Sequence, residues 1–429
     1  MRRVCLVTSS LPRWRGDATT PFILELASDL QTLGWEMEIV APHAPGAKSR
    51  ETLDGVRIER FRYCWPESAE TVCYRGGALV NLRRQPANWL KLPALVASEW
   101  RAVARKLRVG RFDLVHAHWI LPQGFTSVLA AGRRRVPVVV TVHGGDIFAL
   151  RGAVLARFKR FALRRAQAVT TNSTAAERAI RDLVGDLPIL RRIPMGATNP
   201  APVERAEIDR IRARFARGAP LLCFVGRLIE EKGVDDLLEA IAIAELPGIS
   251  ALIIGDGPHR QNLERKGRAL GLEDRVHFLG WMERGEVSRH LAAADIFVGL
   301  SKPSRDGWTE SQGLTFAEAM LSGLPVIATS VGGVSDSVRD AETGLLVAPS
   351  APREAADAIR RLVLDADLAR RLARTGQAYA RRFLTRERTA EEFSRLYAEL
   401  LGEGENRAVT SVSQAEAASA DVSAAPRVR

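Results

Sequence analysis

Cysteine is scarce in this chain, and its positions do not suggest a metal site. The chain has 429 residues and four cysteines, at positions 5, 64, 73 and 223. None of them stands at the close spacing that is typical of zinc ligands. Cys5 and Cys223 lie inside apolar runs, where a free cysteine usually behaves as a small buried group. We therefore expect buried thiols and no metal.

Long apolar runs are also missing. The run from Val4 to Thr8 ends at Ser9, which makes it shorter than the about 7–15 apolar residues of a secretory signal. No later run approaches the roughly 18 residues of a membrane-spanning helix. We therefore expect a soluble, cytoplasmic protein whose first run forms a buried strand.

Acidic residues are under-represented in the first half only. Residues 1–200 hold 31 Lys and Arg against 16 Asp and Glu, a formal charge of +15, whereas the remaining residues sum to −3. A basic surface on one half favours an anionic partner, such as a membrane face, a lipid phosphate or a nucleic acid. Because no aromatic stacking pattern or nucleic-acid motif accompanies the basic residues, we expect no nucleic-acid partner.

Short β-branched runs alternate with amphipathic helical patterns along most of the chain. Such alternation is typical of parallel, doubly wound sheets, so the predicted fold class is α/β. Eleven runs are predicted as strands: residues 4–8, 36–41, 56–63, 113–117, 137–142, 168–171, 221–225, 251–254, 275–279, 295–300 and 325–328.

A proline-rich stretch divides these runs into two groups. Residues 188–202 contain four prolines and show little periodicity, which is typical of a boundary between domains. We predict one domain over residues 1–196 and a second over residues 197–384. An amphipathic helix is predicted for residues 385–403, packed back on the first domain. Residues 404–429 lack large apolar side chains and are predicted to be a disordered tail.

Residues 77–107 mix Trp and Leu with Arg and Lys. This mixture fits a helix that lies on a membrane surface. It also fits an ordinary helix that packs on the sheet and exposes a basic face. The sequence leaves both interpretations open.

The strongest chemical signal is a pair of carboxylates eight residues apart, Glu310 and Glu318. A helix is expected to begin at Gly313 between them and to end before a predicted strand. The N-terminus of a helix offers free N–H groups and a partial positive charge, which suit a phosphate. One carboxylate can then face a sugar while the other accepts hydrogen bonds from hydroxyl groups.

Two cations, Arg227 and Lys232, follow another predicted strand. Ligands of open α/β sheets bind beyond the carboxyl ends of the strands. The Arg fork and the Lys point charge could together hold a diphosphate there. Gly255-Asp256-Gly257 follows a further strand, but position 260 is Arg where a dinucleotide fingerprint needs glycine. We therefore do not predict an oxidoreductase.

Together these elements resemble glycosyltransferase family 4, whose members are retaining enzymes with the GT-B fold. The family pattern of Glu, seven residues, Glu, Ala-Met and a Gly-x-Pro-Val strand is matched from Glu310 to Val326. The resemblance covers nearly the whole second half, through residues 226–233, 255–258, 276–280 and 343–347. It is looser in the first half, where residues 113–118, 141–146 and 193–196 match. The first loop departs from the family, because it reads Arg15-Gly16-Asp17 where Gly-Gly is common.

The resemblance implies two doubly wound, Rossmann-like domains that face each other across a cleft, with the donor in the second domain. It implies that Arg227 and Lys232 bind the donor diphosphate and that Glu318 binds the ribose hydroxyls. Glu310 would contact the transferred sugar and act in catalysis. Further donor contacts are implied at Gly255, Gln312, Gly313 and Leu314.

In the first domain the resemblance places His143 at the catalytic centre and puts Gly16, Asp17, His118 and Asp146 on the acceptor side. A satisfied structural histidine is the alternative for His143. His116 and His118 share one strand face and could suggest a metal, but a third ligand is not evident. The Asp-x-Asp of metal-dependent transferases occurs only as Asp365-Ala366-Asp367 in a helical stretch. We therefore expect a metal-independent enzyme without a cofactor.

The predicted function is transfer of a hexose, such as mannose or glucose, from a UDP- or GDP-linked sugar to a hydroxyl acceptor. A lipid-linked or cell-envelope glycan acceptor is expected, with peripheral attachment at the inner face of the membrane. Three alternatives remain: a nucleotide-sugar epimerase, a phosphorylase-like enzyme on the same fold, and a non-catalytic sugar- or nucleotide-binding protein.

Overall fold

The chain folds around two separate β-sheets. The computed structural model describes residues 1–17, 19–74, 76–132, 134–149, 151–304 and 307–402. The predicted tail at residues 404–429 lies outside the described residues. The first sheet contains β1 (Arg2–Val7), β2 (Trp35–Pro42), β3 (Arg50–Leu53), β4 (Val56–Phe61), β5 (Leu114–His118), β6 (Val138–Val142), β7 (Ala168–Thr171) and β8 (Leu190–Arg192). The second contains β9 (Leu221–Val225), β10 (Ser250–Ile254), β11 (Val276–Gly280), β12 (Ile296–Gly299), β13 (Val326–Thr329) and β14 (Leu345–Val347).

Both sheets are wound parallel. The first has the order β3-β4-β2-β1-β5-β6-β7-β8 and the second β11-β10-β9-β12-β13-β14. Among the described strands only β3 pairs antiparallel, with β4. The inner strands are buried on both faces, as in β6, whose five residues Val-Val-Val-Thr-Val are all buried. Such burial explains why parallel strands read as continuous apolar runs.

Helices cover both faces of each sheet. Those of the first half are α1 (Pro21–Thr32), α2 (Ala78–Arg84), α3 (Leu92–Val109), α4 (Phe125–Ala131), α5 (Gly145–Phe148), α6 (Ala153–Arg165) and α7 (Thr174–Val184). Those of the second half are α8 (Arg205–Phe215), α9 (Val234–Ala244), α10 (Arg260–Ala269), α11 (Arg284–Ala293), α12 (Leu314–Leu321), α13 (Val334–Ser337), α14 (Pro352–Leu364), α15 (Ala366–Phe383) and α16 (Arg386–Leu400).

The predicted α/β fold class is confirmed, and all eleven predicted strands occur within two residues of the expected bounds. Three further strands, β3, β8 and β14, were not predicted. Each lies at an edge of its sheet. Edge strands are often short, and these have three or four residues, which is too few to show a periodic pattern.

The chain crosses between the sheets at two adjoining places. The Ala197 amide donates to the Leu384 carbonyl at 2.8 Å, and Ala197 pairs with Thr385 in an isolated bridge. A Cβ at Gly196 would lie 2.1 Å from the Thr385 backbone, so only glycine allows this approach. After the second crossing, α16 packs on α1, and Arg386 binds both carboxylate oxygens of Asp29.

Residues 77–107 do not form a single helix. They comprise α2, a short 3₁₀ segment at Pro86–Lys91 and most of α3. One face of α3 is buried, including Leu95 and Val103, while Trp89, Leu90 and Trp100 remain exposed. No helix among the described residues is both long and apolar enough to cross a membrane.

Candidate active site between the two sheets

The carboxyl ends of the strands of one sheet face those of the other, and direct hydrogen bonds join them. The Ser311 hydroxyl, in the loop after β12, donates to the side-chain oxygen of Asn172, which follows β7, at 2.6 Å. Gln312 forms two bonds with the Met195 backbone: its Oε1 accepts from the amide at 2.9 Å, and its Nε2 donates to the carbonyl at 2.6 Å. This places the Glu310 motif directly opposite the loops of the first sheet.

The structure brings Lys232 and Glu310 together, although 78 residues separate them. The Lys232 ammonium forms an ion pair with the Glu310 carboxylate. Ser301 donates a hydrogen bond to the same carboxylate at 3.3 Å, and the Trp308 ring centre lies 5.9 Å from the Lys232 nitrogen. Sequence reasoning missed Ser301 and Trp308; proximity to Glu310 in the chain was the only available signal for Trp308.

The side chains of Arg227 and Glu318 on this wall have no hydrogen-bond partner among the described residues. Arg227 is exposed in the loop after β9. Glu318 lies half-buried on α12. Burial raises its pKa, while the nearby Arg284 lowers it. Both side chains are therefore available to bind a ligand, the first as a cation and the second as a hydrogen-bond acceptor.

Glycine is required where the loops after β9 and β10 approach each other. Gly255 has a φ of 135°, and a Cβ there would lie 1.8 Å from the Gly226 carbonyl oxygen. This contact holds the loop after β10 against the loop that carries Arg227. Gly313, with a φ of 74°, sits at the N-cap of α12. The next residue, Leu314, packs against the core of the first sheet.

Gln312 was predicted as a donor-binding residue, but its side chain is fully used by the Met195 backbone. It is 4% exposed, so only its backbone remains for a donor. The sequence could not reveal this, because the two residues are 117 positions apart.

On the opposite wall, His143 is held from two directions. Its backbone amide donates to Asp146 Oδ1 at 3.2 Å, and its Nε2 lies 2.8 Å from Nδ1 of His118. Asp146 also accepts from the Ile120 amide at 2.8 Å, so it ties the loops after β5 and β6 together. The rings of Phe22 and Trp119 pack around the imidazole, with centres at 5.5 and 4.8 Å.

His118 and Asp146 were predicted to line the acceptor side, yet both are buried behind His143 at 0% and 2% exposure. Burial raises the pKa of Asp146. Burial also lowers the pKa of His143 to about 3 and takes that of His118 well below its usual range. Both imidazoles are therefore neutral at physiological pH.

In the loop after β1, Gly16 is exposed, whereas the Asp17 side chain is held by hydrogen bonds within the loop. The Asp17 carboxylate accepts hydrogen bonds from Arg13 and Thr19, both from backbone amides and from side chains. Burial alone would raise its pKa, but these bonds lower the pKa to about 2. Asp17 therefore shapes this loop, and Gly16 at its tip has a φ of 86°.

A metal site is not apparent in the parts of the chain that the structure describes. No group of three or more His, Cys, Asp or Glu side chains there is arranged to hold a metal ion. Of the Asp-x-Asp pair, Asp365 caps α15 through a 2.9 Å bond from the Leu368 amide, and Asp367 is 93% exposed.

Comparison with known proteins gives the same assignment for both halves. Residues 18–196 match the model "Glycosyl transferase 4-like domain", and residues 206–379 match "Glycosyl transferases group 1". The chain is 31% identical to the D-inositol 3-phosphate glycosyltransferase of Nocardia farcinica, over 84% of this chain and 80% of that protein.

Two further similarities span most of the chain. It is 30% identical to the GDP-mannose-dependent alpha-(1-6)-phosphatidylinositol monomannoside mannosyltransferase of Mycobacterium tuberculosis, over 88% of this chain and 94% of that protein. The solved sucrose-phosphate synthase of Thermosynechococcus elongatus shares the fold, with a TM-score of 0.74 and 23% identity over 94% of this chain and all of that one. The chain therefore belongs to glycosyltransferase family 4: it is a nucleotide-sugar-dependent hexosyltransferase with the GT-B fold.

Proposed function

We propose that the enzyme transfers its hexose with retention of anomeric configuration, without a metal, to a hydroxyl group of an acceptor at a membrane surface. The observation that carries the transfer chemistry is the donor wall. The Lys232–Glu310 pair and the unpaired Arg227 lie in loops at the carboxyl edge of one sheet, and the unpaired Glu318 lies on α12 beside them, opposite His143. None of the observations above supports an epimerase, a phosphorylase-like enzyme or a non-catalytic binding protein.

Negative charge on the leaving diphosphate is the feature that needs stabilisation. Arg227 supplies a fork of N–H donors for it and Lys232 supplies a point charge. A diphosphate would compete with the Glu310 carboxylate for Lys232, which frees Glu310 to accept hydrogen bonds from the sugar. The backbone N–H groups at the start of α12 point towards the same region and would also donate hydrogen bonds to the diphosphate. Glu318 would accept hydrogen bonds from the ribose hydroxyls.

Retention of configuration fits a mechanism in which the leaving oxygen takes the proton of the acceptor hydroxyl on the same face of the sugar. No carboxylate is then required as a nucleophile. Proton NMR of the first-formed product distinguishes the two anomers. An inverted product would contradict this part of the proposal.

Donor binding is the direct test of the donor wall. Thermal-shift measurements with UDP, GDP, ADP and their common sugar conjugates, with EDTA present, should show stabilisation by one nucleotide class. Lys232→Ala should weaken that nucleotide by roughly 10- to 100-fold, because a charged hydrogen bond is worth about 1.5–3 kcal/mol. Glu318→Ala should weaken the nucleotide but not the free diphosphate.

Lys302 provides a matched control for Lys232. It is similarly enclosed, with a side-chain exposure of 14% against 20% for Lys232, but it pairs with Asp235 and Asp236. Lys302→Ala should leave nucleotide affinity close to that of the wild type. Equal losses in both variants would indicate general loosening, and normal activity of Lys232→Ala would refute the site.

The membrane part of the proposal rests on an apolar patch at the site end of the first domain. α3 runs into β5 from its C-terminal end, so the N-terminal turns of α3 lie near the carboxyl end of that strand. α4 follows β5 and α6 follows β6, so both of these helices also begin at the carboxyl end of the sheet. A groove between α3 and α4 is lined by the apolar side chains of Trp89, Leu92, Val96, Trp100 and Leu129, among others. The patch continues through the Phe125–Phe158 ring contact to Val154 on α6.

Exposure and charge both favour an anionic lipid surface as the occupant of this patch. Leu90 is 85% exposed and Val154 71% exposed, which is unusual for large apolar side chains in water. Exposed arginines adjoin the patch on the same helices, including Arg101 on α3 and Arg157 and Arg160 on α6. Trp and Leu beside Arg are the composition of interfacial membrane segments. An acceptor held in such a surface would lie at the mouth of the site.

Vesicle sedimentation tests the patch. The full chain should bind phosphatidylglycerol vesicles at low salt, and less well at high salt or with phosphatidylcholine alone. The double variant Trp89→Ser/Leu90→Ser should lose most binding and keep nucleotide affinity. Val109→Ser, a 79% exposed position at the far end of α3, is the control and should bind normally. Failure of the wild type to bind anionic vesicles would favour a soluble acceptor.

A further inference from the structure

A buried histidine pair lies behind the catalytic centre, and its hydrogen bonds restrict where the protons can be. His118 Nδ1 and His143 Nε2 are 2.8 Å apart, and their rings stack at 19° with centres at 5.1 Å. Both imidazoles are neutral, because burial lowers the pKa of each. A neutral imidazole carries one N–H and one lone pair. One ring must therefore donate and the other must accept.

The other ring nitrogen of His118 decides between the two arrangements. His118 Nε2 is fully buried and has no hydrogen-bond partner within the described ranges. If His143 donated, His118 would carry its proton on Nε2 and bury an N–H without an acceptor. If His118 donates, only a lone pair is left there. A buried N–H group without an acceptor is rarer in folded proteins than a buried acceptor without a donor. The arrangement in which His118 donates is therefore favoured.

Packing within β5, the strand that carries His118, restricts rotation of the His118 ring. His116, two residues earlier on β5, packs against it with the rings tilted by 34° and their centres at 4.2 Å. His116 is itself fixed by the Tyr397 hydroxyl at 2.5 Å and the Thr141 hydroxyl at 2.6 Å. Both rings are 0% exposed. The orientation of His118 is thus set by packing on β5.

We propose that His118 is a positioning residue that holds His143 in the tautomer with its proton on Nδ1, so that His143 offers an N–H donor to the bound substrates. This rests on the proposed function, which places His143 at the catalytic centre. His143 Nδ1 has no partner among the described residues and is not among the buried unsatisfied atoms, so it is the nitrogen left for a substrate.

This tautomer excludes His143 as the general base. A histidine with its lone pair bound to His118 and its N–H turned to the substrates cannot remove the acceptor proton. It can donate a hydrogen bond to a sugar hydroxyl or another oxygen. Proton removal is then left to the leaving phosphate oxygen, in agreement with retention. The role assigned to His118 is separate from any contact with substrate, because its ring does not reach the surface.

Nitrogen NMR reads the tautomer in the wild-type chain, and a variant is needed only to identify the signals. A long-range proton–nitrogen spectrum of the full chain labelled with ¹⁵N-histidine distinguishes protonated Nδ1 from protonated Nε2. The His143 signals are identified by their loss in His143→Gln. We expect His143 to be protonated on Nδ1 at pH 7. Protonation on Nε2 would overturn the proposal, whatever the activity of the variants.

Two substitutions separate positioning from packing. His118→Leu removes the N–H that binds His143 and should lower kcat by roughly 10- to 100-fold, the size of loss seen when the partner that orients a metal-bound histidine is removed. The KM for the nucleotide sugar should change less than about threefold. His118→Asn places an amide N–H near the position of Nδ1 and should recover most of kcat. Equal impairment of the two folded variants, or an unchanged kcat in His118→Leu, would contradict the proposal.

His43→Asn is the matched control. It is a buried histidine of the first sheet's half of the chain and bonds to Glu70 and Ala47 rather than to His143. It should lower thermal stability and leave the His143 tautomer in place. Failure of the proposed function has a different signature: His143→Ala would then keep full activity, while the tautomer of the wild-type ring would still be readable.

Discussion

Glu99 carries a carboxyl group that the fold encloses completely, and it yields a stability prediction with a definite sign. The residue lies on α3 and is 0% exposed. It accepts a hydrogen bond from the Thr126 hydroxyl at 2.6 Å and another from Gln123 Nε2 at 2.8 Å. Burial raises its pKa from the ordinary value of 4.5 to about 7, because these two bonds offset only part of the loss of hydration.

The direction of the pH effect follows from this difference. Between pH 4.5 and about 7 the folded chain keeps a proton that the unfolded chain releases. The contribution of Glu99 to stability is therefore fully present below pH 4.5 and is lost as the pH rises through 7. The gap between the two pKa values corresponds to about 3 kcal/mol of unfolding free energy.

Glu99→Gln removes the titration and keeps the shape. Its carbonyl oxygen can accept from Thr126. Its NH₂ group can donate to Gln123 Oε1, which is buried without a partner, once the Gln123 amide turns over by a half rotation. The stability of this variant relative to the wild type should therefore rise by about 2.5 kcal/mol between pH 5 and pH 8. Urea unfolding at both pH values, followed by circular dichroism, measures the change.

An exposed carboxylate serves as the control. Glu67→Gln, in the 3₁₀ segment Glu67–Ala69, should change stability by the same small amount at both pH values. If Glu99→Gln differed from the wild type equally at pH 5 and pH 8, Glu99 would titrate as an ordinary carboxyl group. The account of its burial would then be wrong.

Other parts of the site yield further predictions. Gln312→Ala removes two hydrogen bonds between the domains and should lower stability by about 2 kcal/mol in calorimetry; an unchanged melting temperature would show that the tie is not needed. Gly332→Ala would place a Cβ 2.0 Å from the Glu310 carbonyl oxygen, so it should raise the donor KM, whereas Gly46→Ala, also at positive φ but with open space, should not. A chain that ends at Gly402 should keep its activity in a standard transfer assay, and loss of activity would give the tail a role.

The sequence predicted the inner strands because they are buried on both faces and have to be apolar throughout. It did not predict three of the four edge strands, β3, β8 and β14, whose pairing depends on a neighbour rather than on their own composition: β3 reads Arg-Glu-Thr-Leu. Local pattern is thus informative where burial is complete and less informative at sheet edges, where it indicated β11 but not the three shorter strands.

The same distinction applies to the site. The Glu310 and Lys232 motifs each carry enough local pattern to be noticed, and the structure brings them together. The two bonds between Gln312 and Met195 and the contact between His118 and His143 depend on side chains from distant segments meeting at a sheet edge. The catalytic and binding roles of these residues stay predictions until the variants are assayed.

The paired crossings at Ala197 and Thr385 have a consequence for how the protein is assembled. Because the chain leaves the first sheet and returns to it at bonded neighbours, residues 197–384 form an insert within an otherwise continuous unit that α16 completes. A unit with this attachment can be exchanged as a block without rerouting the remainder of the chain. If the second unit binds the donor and the first unit the acceptor, as proposed, the choice of nucleotide sugar and the choice of acceptor can change independently.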